Sequence, residues 1–292
     1  MEKSIQIGPY LSSEDVARIL SVNVATVKRW TDLGKLDCIK TAGGHRKFRL
    51  RHLAAFVLEH KKYSEHLSLL STTGPIDFDL NTQVLKGAFD KLIPLFLSKV
   101  IVCEYGMIQN ILHNLYMVHQ DLALIYDELL TPVLHQIGDM WAKGELSVAQ
   151  EHLASQAIRD GIVKLQDVVI KTDTNAGRAF VLTIGTELHD IPAKMVQHLL
   201  ESRGFITLFS GQATPAGETG KVFESFHPDR VYLSSTYIEN IEMAQQEFNE
   251  LAARCDQYEA RLFCGGVGMN QLTLGQKTHI KRLTSFKEVQ SS

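Results

Sequence analysis

The chain has 292 residues, 45% of them hydrophobic, and a formal net charge of −3, enough for two or three domains with cores of their own. Its four cysteines, Cys38, Cys103, Cys255 and Cys264, lack CxxC spacing, so neither a zinc site nor a disulfide framework is suggested and a reducing cytoplasm is the simplest setting. The longest apolar runs, such as Val181-Leu182-Thr183-Ile184, fall far short of the roughly 20 residues that span a bilayer, and no basic-then-apolar leader opens the chain. A soluble, cytoplasmic protein is expected.

Charge is unevenly spread. Residues 1–63 carry 12 Lys and Arg against 6 Asp and Glu, leaving 18 against 27 for residues 64–292, so a head near +6 precedes a body near −9. A basic head on an acidic body suits a polyanion-binding module joined to a sensor or assembly module.

In the head, residues 1–62, Ser12 with Asp15 three residues on marks a helix start. Ser21-Val22-Asn23 forms a turn, and Asn23 can cap a second helix from Val24 to about Leu33. In that helix Val24, Val27 and Trp30 share a buried face while Thr26, Lys28 and Arg29 point elsewhere. Gly34 closes it. Short strands around Cys38–Lys40 and Lys47–Phe48 then flank Ala42-Gly43-Gly44, whose glycines permit a tight hairpin. The hairpin makes a wing carrying His45, Arg46 and Lys47, with Arg49 just after. A basic cluster of this size is usually a solvated face, but its order after two capped helices favours contact with DNA. The stretch SSEDVARILSVNVATVKRWTDLGKLDCIKTAGGHRKFRLRHL resembles, along its whole length, the winged-helix DNA-binding domain of the MerR family of transcription regulators. The resemblance implies binding of a double-stranded promoter by two or more heads, with the second helix in the major groove and the wing on flanking phosphates. Base choice would then rest mainly on Thr26, Lys28 and Arg29.

Residues 63–78, with Ser-Thr-Thr-Gly-Pro, read as a linker. From residue 79 to 173 apolar residues recur at helical spacing, among them Val84, Leu85, Phe89, Leu92, Ile108, Ile111, Leu112 and Leu115, and predict three or four packed helices. Gly144 can stop one helix, and Ser147 with Gln150 is a capping box for the next. Trp141 therefore falls at a helix end, with Glu151 and His152 in the first turns of its neighbour. A core tryptophan beside a surface Glu-His pair is the simpler reading of these three.

Residues 177–292 alternate strand and helix: Ala179–Gly185, Pro192–Arg203, Phe205–Ser210, Lys221–Phe226, Arg230–Ser234, Glu239–Tyr258 and Arg261–Cys264. The alternation predicts a parallel sheet, helices on both faces and a ligand crevice at the carboxyl ends of the strands. Neither GxGxxG nor GxxxxGK[ST] occurs. After the first strand His189, with Glu187 two residues before it, can present one imidazole nitrogen to a metal while the other is oriented by a hydrogen bond, although a lone loop histidine is more often merely exposed. Ser234-Ser235-Thr236 and Gly265-Gly266 follow later strands on the same edge, the glycines admitting a bulky ligand or a close backbone approach.

Glu187-x-His189, Ser234–Thr236 and Gly265-Gly266 are similar to the cobalamin-binding fold of methionine synthase and related corrinoid proteins. Trp141-x9-Glu151-His152 resembles the helical cap of the CarH/LitR cobalamin-dependent photoreceptors, and head, cap and rear domain together resemble that architecture across nearly the whole chain. The resemblance implies a winged helix-turn-helix head, a four-helix-bundle cap and a Rossmann-like (flavodoxin-like) cobalamin domain. In it His189 ligates cobalt from below, displacing the ligand's nucleotide tail, and Glu187 supports it. Ser234, Ser235, Thr236, Gly265 and Gly266 line the tail channel, while Trp141, Glu151 and His152 cover the adenosyl face of adenosylcobalamin. It also implies a non-enzymatic repressor that assembles as a homo-oligomer, dimer or tetramer, in the dark and falls apart in light. Two residues depart from the pattern: Pro192 replaces the glycine of E-x-H-x-x-G, and Ala142 replaces the histidine that follows the tryptophan and captures cobalt after photolysis. His135 is a candidate substitute. A regulator whose rear domain senses another ligand or a partner, and a corrinoid carrier or mutase subunit, are the competing readings; the DNA-binding head argues against the second.

Overall fold

A computed structural model describes residues 10–41, 43–60, 80, 83–84, 86–169, 171–172, 175–275 and 279–292. The predicted linker, Ala42 of the wing and Leu85 lie outside them. The chain divides into two compact units, Met1–Asp121 with Glu128–Val168, and Leu122–Asp127 with Val169–Ser292.

The first unit opens with the head. Helices α1 (Ser13–Ile19) and α2 (Val24–Asp32) start where the sequence predicts: the Ser12 hydroxyl accepts from the Asp15 amide, the Asp15 carboxylate accepts from the Ser12 amide, and the Asn23 side chain accepts from the Ala25 amide. These bonds satisfy amides that a helix start otherwise leaves unpaired. On α2 Val27 is buried, Val24 and Trp30 are half-buried, and the Trp30 ring packs 4.6 Å from Phe56 of α3 (Leu50–Glu59). Gly34 stops α2 at φ +69°, and strands β2 (Ile39–Lys40) and β3 (Arg46–Phe48) form the antiparallel wing. The sequence reading missed β1 (Leu11–Ser12), which pairs with β3 on the other side.

The helical part of this unit contains α4 (Phe89–Ile101), α5 (Tyr105–His119), α7 (Thr131–Ala142) and α8 (Val148–Gln166), which pack on one another. Leu92, Phe96, Val100, Ile108, Ile111, Leu112, Leu115, Ala157, Ile158 and Ile162 make the core. Gly161 lets α8 approach α5: a Cβ there would come 2.9 Å from Leu112 and 3.1 Å from Ile108.

The second unit is a five-stranded, wholly parallel sheet in the order β5-β4-β6-β7-β8. Its elements are β4 (Arg178–Thr183), α9 (Ile191–Ser202), β5 (Ile206–Phe209), α10 (Gly220–Phe226), β6 (Arg230–Ser234), α11 (Ile241–Gln257), β7 (Arg261–Gly265), β8 (Ile280–Arg282) and α12 (Phe286–Ser291). β8 and α12 have no counterpart in the sequence reading. Alternate residues feed opposite faces. Phe180, Leu182, Val231, Leu233, Leu262 and Cys264 join Phe223 of α10 and Phe248 and Leu251 of α11 in one core, while α9 packs against β4, β5 and β6. Order reverses between β4 and β6, and the crevice of such a sheet opens at that point, beyond the carboxyl ends of the strands.

Helix α6 (Leu122–Ile125) and the π-helical turn Tyr126–Leu130 lead directly into α7. Tyr126 is buried with its hydroxyl on His198 Nδ1 of α9 and its ring edge-on to Phe286, and the Asp127 carboxylate accepts from the Phe286 and Lys287 amides that open α12. Residues 122–127, expected in the helical cap, thus pack with the sheet domain.

Candidate functional site

The loop Gly185–Asp190 follows β4 and the loop Ser235–Asn240 follows β6, so both lie at the reversal of strand order. Between them sits Glu187, 3% exposed. Its Oε1 accepts from the His189 amide at 2.8 Å and His189 Nδ1 at 2.6 Å; its Oε2 accepts from the amides of Thr236 at 2.5 Å and Tyr237 at 2.7 Å, with the Ser235 hydroxyl at 3.4 Å. Burial alone pushes this carboxyl up. The bonds from the His189 ring and from the Tyr237, His189 and Thr236 amides outweigh it and hold Glu187 below the usual carboxylate range. Glu187 is therefore ionised at neutral pH and accepts at His189 Nδ1, and a neutral imidazole so held presents the lone pair of its Nε2. The ring is 55% exposed at the crevice.

Behind it, the β6 and β7 loops touch backbone to backbone. The Ser235 amide donates to Gly265 O and Ser235 O accepts from the Gly268 amide, both at 3.0 Å. A Cβ on Gly266, at φ +94°, would lie 2.1 Å from Ser235 O, and one on Gly268 would lie 2.6 Å from Ser235 Oγ. Of the two uses the sequence left open for Gly265-Gly266, the structure shows close backbone approach at Gly266, and it adds Gly268, which the sequence reading passed over. Ser234 and Ser235 are buried and Thr236 is half-buried. Arg282 of β8, also missed, donates to Gly266 O at 2.6 Å and Asn270 Oδ1 at 2.9 Å. Pro192 falls in the first turn of α9, where its missing amide removes no helix bond.

In the first unit, Trp141 is the penultimate residue of α7 and 51% exposed. The predicted capping box of α8 is present between Ser147 and Gln150. Glu151 and His152 stand in the first turns of α8, 3.5 Å apart, with the His152 side chain 73% exposed. Trp141 is thus no core residue of its own unit. Ala142 closes α7 and is exposed.

On the head, Lys28 and Arg29 are exposed on α2 and Thr26 is half-buried; His45 is exposed at the wing tip. Arg46 is turned onto α2, its Nε donating to Thr31 Oγ1 at 2.8 Å and its Nη2 to Asp32 at 2.5 Å. Arg49 lies over the Tyr10 ring, 5.7 Å from its centroid, and Lys47 is half-buried on β3.

Residues 10–61 match the family model described as a helix-turn-helix domain, and residues 107–166 match that of a B12 binding domain. The second match covers the helices carrying Trp141, Glu151 and His152. A solved Methanosarcina barkeri monomethylamine corrinoid protein superposes with a TM-score of 0.55 at 14% identity, covering 69% of this chain and 96% of that one, which establishes the corrinoid-protein fold. The class is thus a helix-turn-helix head joined to a B12 binding helical domain and a parallel α/β sheet. Over part of its length the chain is similar to the HTH-type transcriptional repressor CarH of Myxococcus xanthus, 32% identical over 110 residues, which span 38% of this chain and 36% of that protein. Among the described residues no helix is long and apolar enough to cross a membrane.

Proposed function

We propose that the protein is a cobalamin-binding transcriptional regulator in which His189 Nε2 is the cobalt ligand and the head binds promoter DNA. The observation that carries this reading is the buried, ionised Glu187, which fixes the tautomer and direction of an exposed imidazole at the strand-order reversal. A carboxylate supporting a ligating histidine in this way raises its basicity and holds its orientation. The donor set suits a corrin metal, which needs one imidazole from the protein rather than a cage; among the described residues no group of three or more His, Cys, Asp and Glu converges. Ser234, Ser235, Thr236, Gly265 and Gly266 would take the ligand's tail, and Trp141, Glu151 and His152 its upper face. Bound adenosylcobalamin would supply a cobalt centre with a light-cleavable cobalt–carbon bond.

On the DNA side, Lys28 and Arg29 would reach the major groove, and His45, Lys47 and Arg49 the flanking phosphates. Ligand-dependent self-assembly would multiply heads on one operator and so repress transcription. Ala142 has no lone pair for cobalt, so a light product ligated at that position is not expected, and a regulator that senses cobalamin without the usual light response is the second reading this residue favours.

The test is purification with adenosylcobalamin in darkness, followed by absorbance, mass and operator binding before and after green light. A histidine-ligated cobalamin spectrum, lost in His189→Ala, is expected. A colourless wild-type protein of unchanged mass would overturn the proposal.

A further inference from the structure

The Glu187 carboxylate explains the direction of the His189 ring from the β6 side alone. A second set of bonds reaches the same loop from the β5 side. Gln212 Nε2 donates to Leu188 O at 2.6 Å. The Ala213 amide is shared between Glu187 O at 3.1 Å and Thr183 Oγ1 at 3.0 Å. Thr183, fully buried at the end of β4, turns its hydroxyl toward Gly211 O at 3.3 Å and Glu187 O at 3.4 Å. We propose that Thr183 and Gln212 are positioning residues for the His189 imidazole, clamping the Glu187 and Leu188 carbonyls to the β5 loop so that the ring meets its ligand at a fixed angle.

Three observations separate this from ordinary loop closure. The bonds converge on the two peptide units immediately before His189. Leu188 itself is 64% exposed, so hydrophobic burial does not fix that stretch. Ala213 holds φ +48°, a backbone conformation unfavourable for any residue with a Cβ, and in it its amide meets both Thr183 and Glu187. Within the loop itself the His189 amide is held by Glu187 Oε1 and Leu188 O also accepts from the Asp190 amide at 3.1 Å; the bonds from Gln212 and Ala213 are what tie this turn to the β5 side, and without them the turn can shift as a unit and carry the ring off line. Ligand contacts tolerate little such looseness.

The inference rests on the reading of His189 as cobalt ligand, and two measurements keep the two apart. The first is hydrogen exchange of the peptide spanning residues 185–191 in the protein without ligand. Gln212→Leu and Thr183→Val should each speed exchange of the His189 amide roughly tenfold, the equivalent of one hydrogen bond, while Thr183→Ser stays at the wild-type rate and peptides from α11 are unchanged. The second is titration with cobalamin in darkness, read by absorbance. The same two variants should bind roughly tenfold more weakly and with a smaller histidine-ligated fraction, and Thr183→Ser should restore both. A wild-type protein lacking a histidine-ligated spectrum sinks the ligand reading, and the exchange rates then judge the clamp. Wild-type ligation with Gln212→Leu indistinguishable from wild type in both measurements overturns the clamp; exchange rising equally across the domain does so too.

Discussion

The loop of His189 and the rim of Trp141 carry side chains of similar chemistry in opposite physical states. Glu187 is buried among three amides and a hydroxyl, and the Glu187 and Leu188 carbonyls accept from Ala213 and Gln212 of the loop after β5. Trp141, Glu151 and His152 stand on helix ends with half or more of Trp141 and His152 in solvent. The first is fixed by bonds within the fold, and the second is an exposed surface that the fold leaves open. A preorganised site spends its ordering cost during folding, whereas an exposed aromatic pays on binding and so can report whether a ligand is there.

Substitutions can break this contrast in order of severity. Gly266→Val should do most, because its Cβ would sit 2.1 Å from Ser235 O at φ +94°; a loss of more than about 4 kcal/mol in urea unfolding is expected. A variant folded as stably as wild type would mean the β6 and β7 loops are free to separate. Glu187→Ala strands the part-buried Thr236 and Tyr237 amides, and a cost of about 2 kcal/mol follows from two donors that lose their partner. The corresponding Trp141→Ala change should stay within about 0.5 kcal/mol without ligand, as for other exposed sites, yet alter binding of cobalamins that differ in their upper group. If Trp141→Ala unfolds the protein, or Glu187→Ala does not weaken it, the contrast is reversed.

Acid sharpens the picture in two windows. His198 is pushed down to about 3 by burial first, then by Lys194 and Lys171. The unfolded chain takes up this proton near 6.5 and the folded one does not, so stability is full above 6.5 and falls as pH drops toward 3. From pH 6.5 to 5 the linkage amounts to about 2 kcal/mol. His113, also lowered by burial, adds in the same direction. Glu187 has a folded value below 4.5, so its contribution persists above 4.5 and is lost only as pH falls through the lowered value. Urea midpoints between pH 7 and 5 should therefore flatten in Tyr126→Phe/His198→Leu and not in Glu187→Gln. An unchanged slope in the double variant refutes the assignment to His198.

Local chemistry was legible in the sequence and long-range chemistry was not. Ser12, Asn23 and Ser147 cap the helices they were expected to cap, and Arg230–Ser234 is a strand over the predicted residues, because capping and burial patterns act within a few positions. Glu187 and His189 were legible as a pair for the same reason. The donors from Thr236, Tyr237 and Gln212, and the bond from Arg282 to Gly266, join residues 16 to 50 positions apart. They exist only once the parallel register is set, and no spacing rule announces them. β8 and α12 escaped because Ile280–Arg282 and Phe286–Ser291 are too short to show a period.

The helical run that carries Tyr126 and Asp127 has a practical corollary for dissection of the protein. A fragment cut at the obvious composition boundary, starting at Gly177, would discard the phenol that meets the His198 ring and the carboxylate that opens the last helix. Such a piece would expose an apolar seam along α9 and α12, and its behaviour in solution would describe that wound rather than the domain. The smallest faithful excision begins upstream of Leu122 and so brings Trp141 with it.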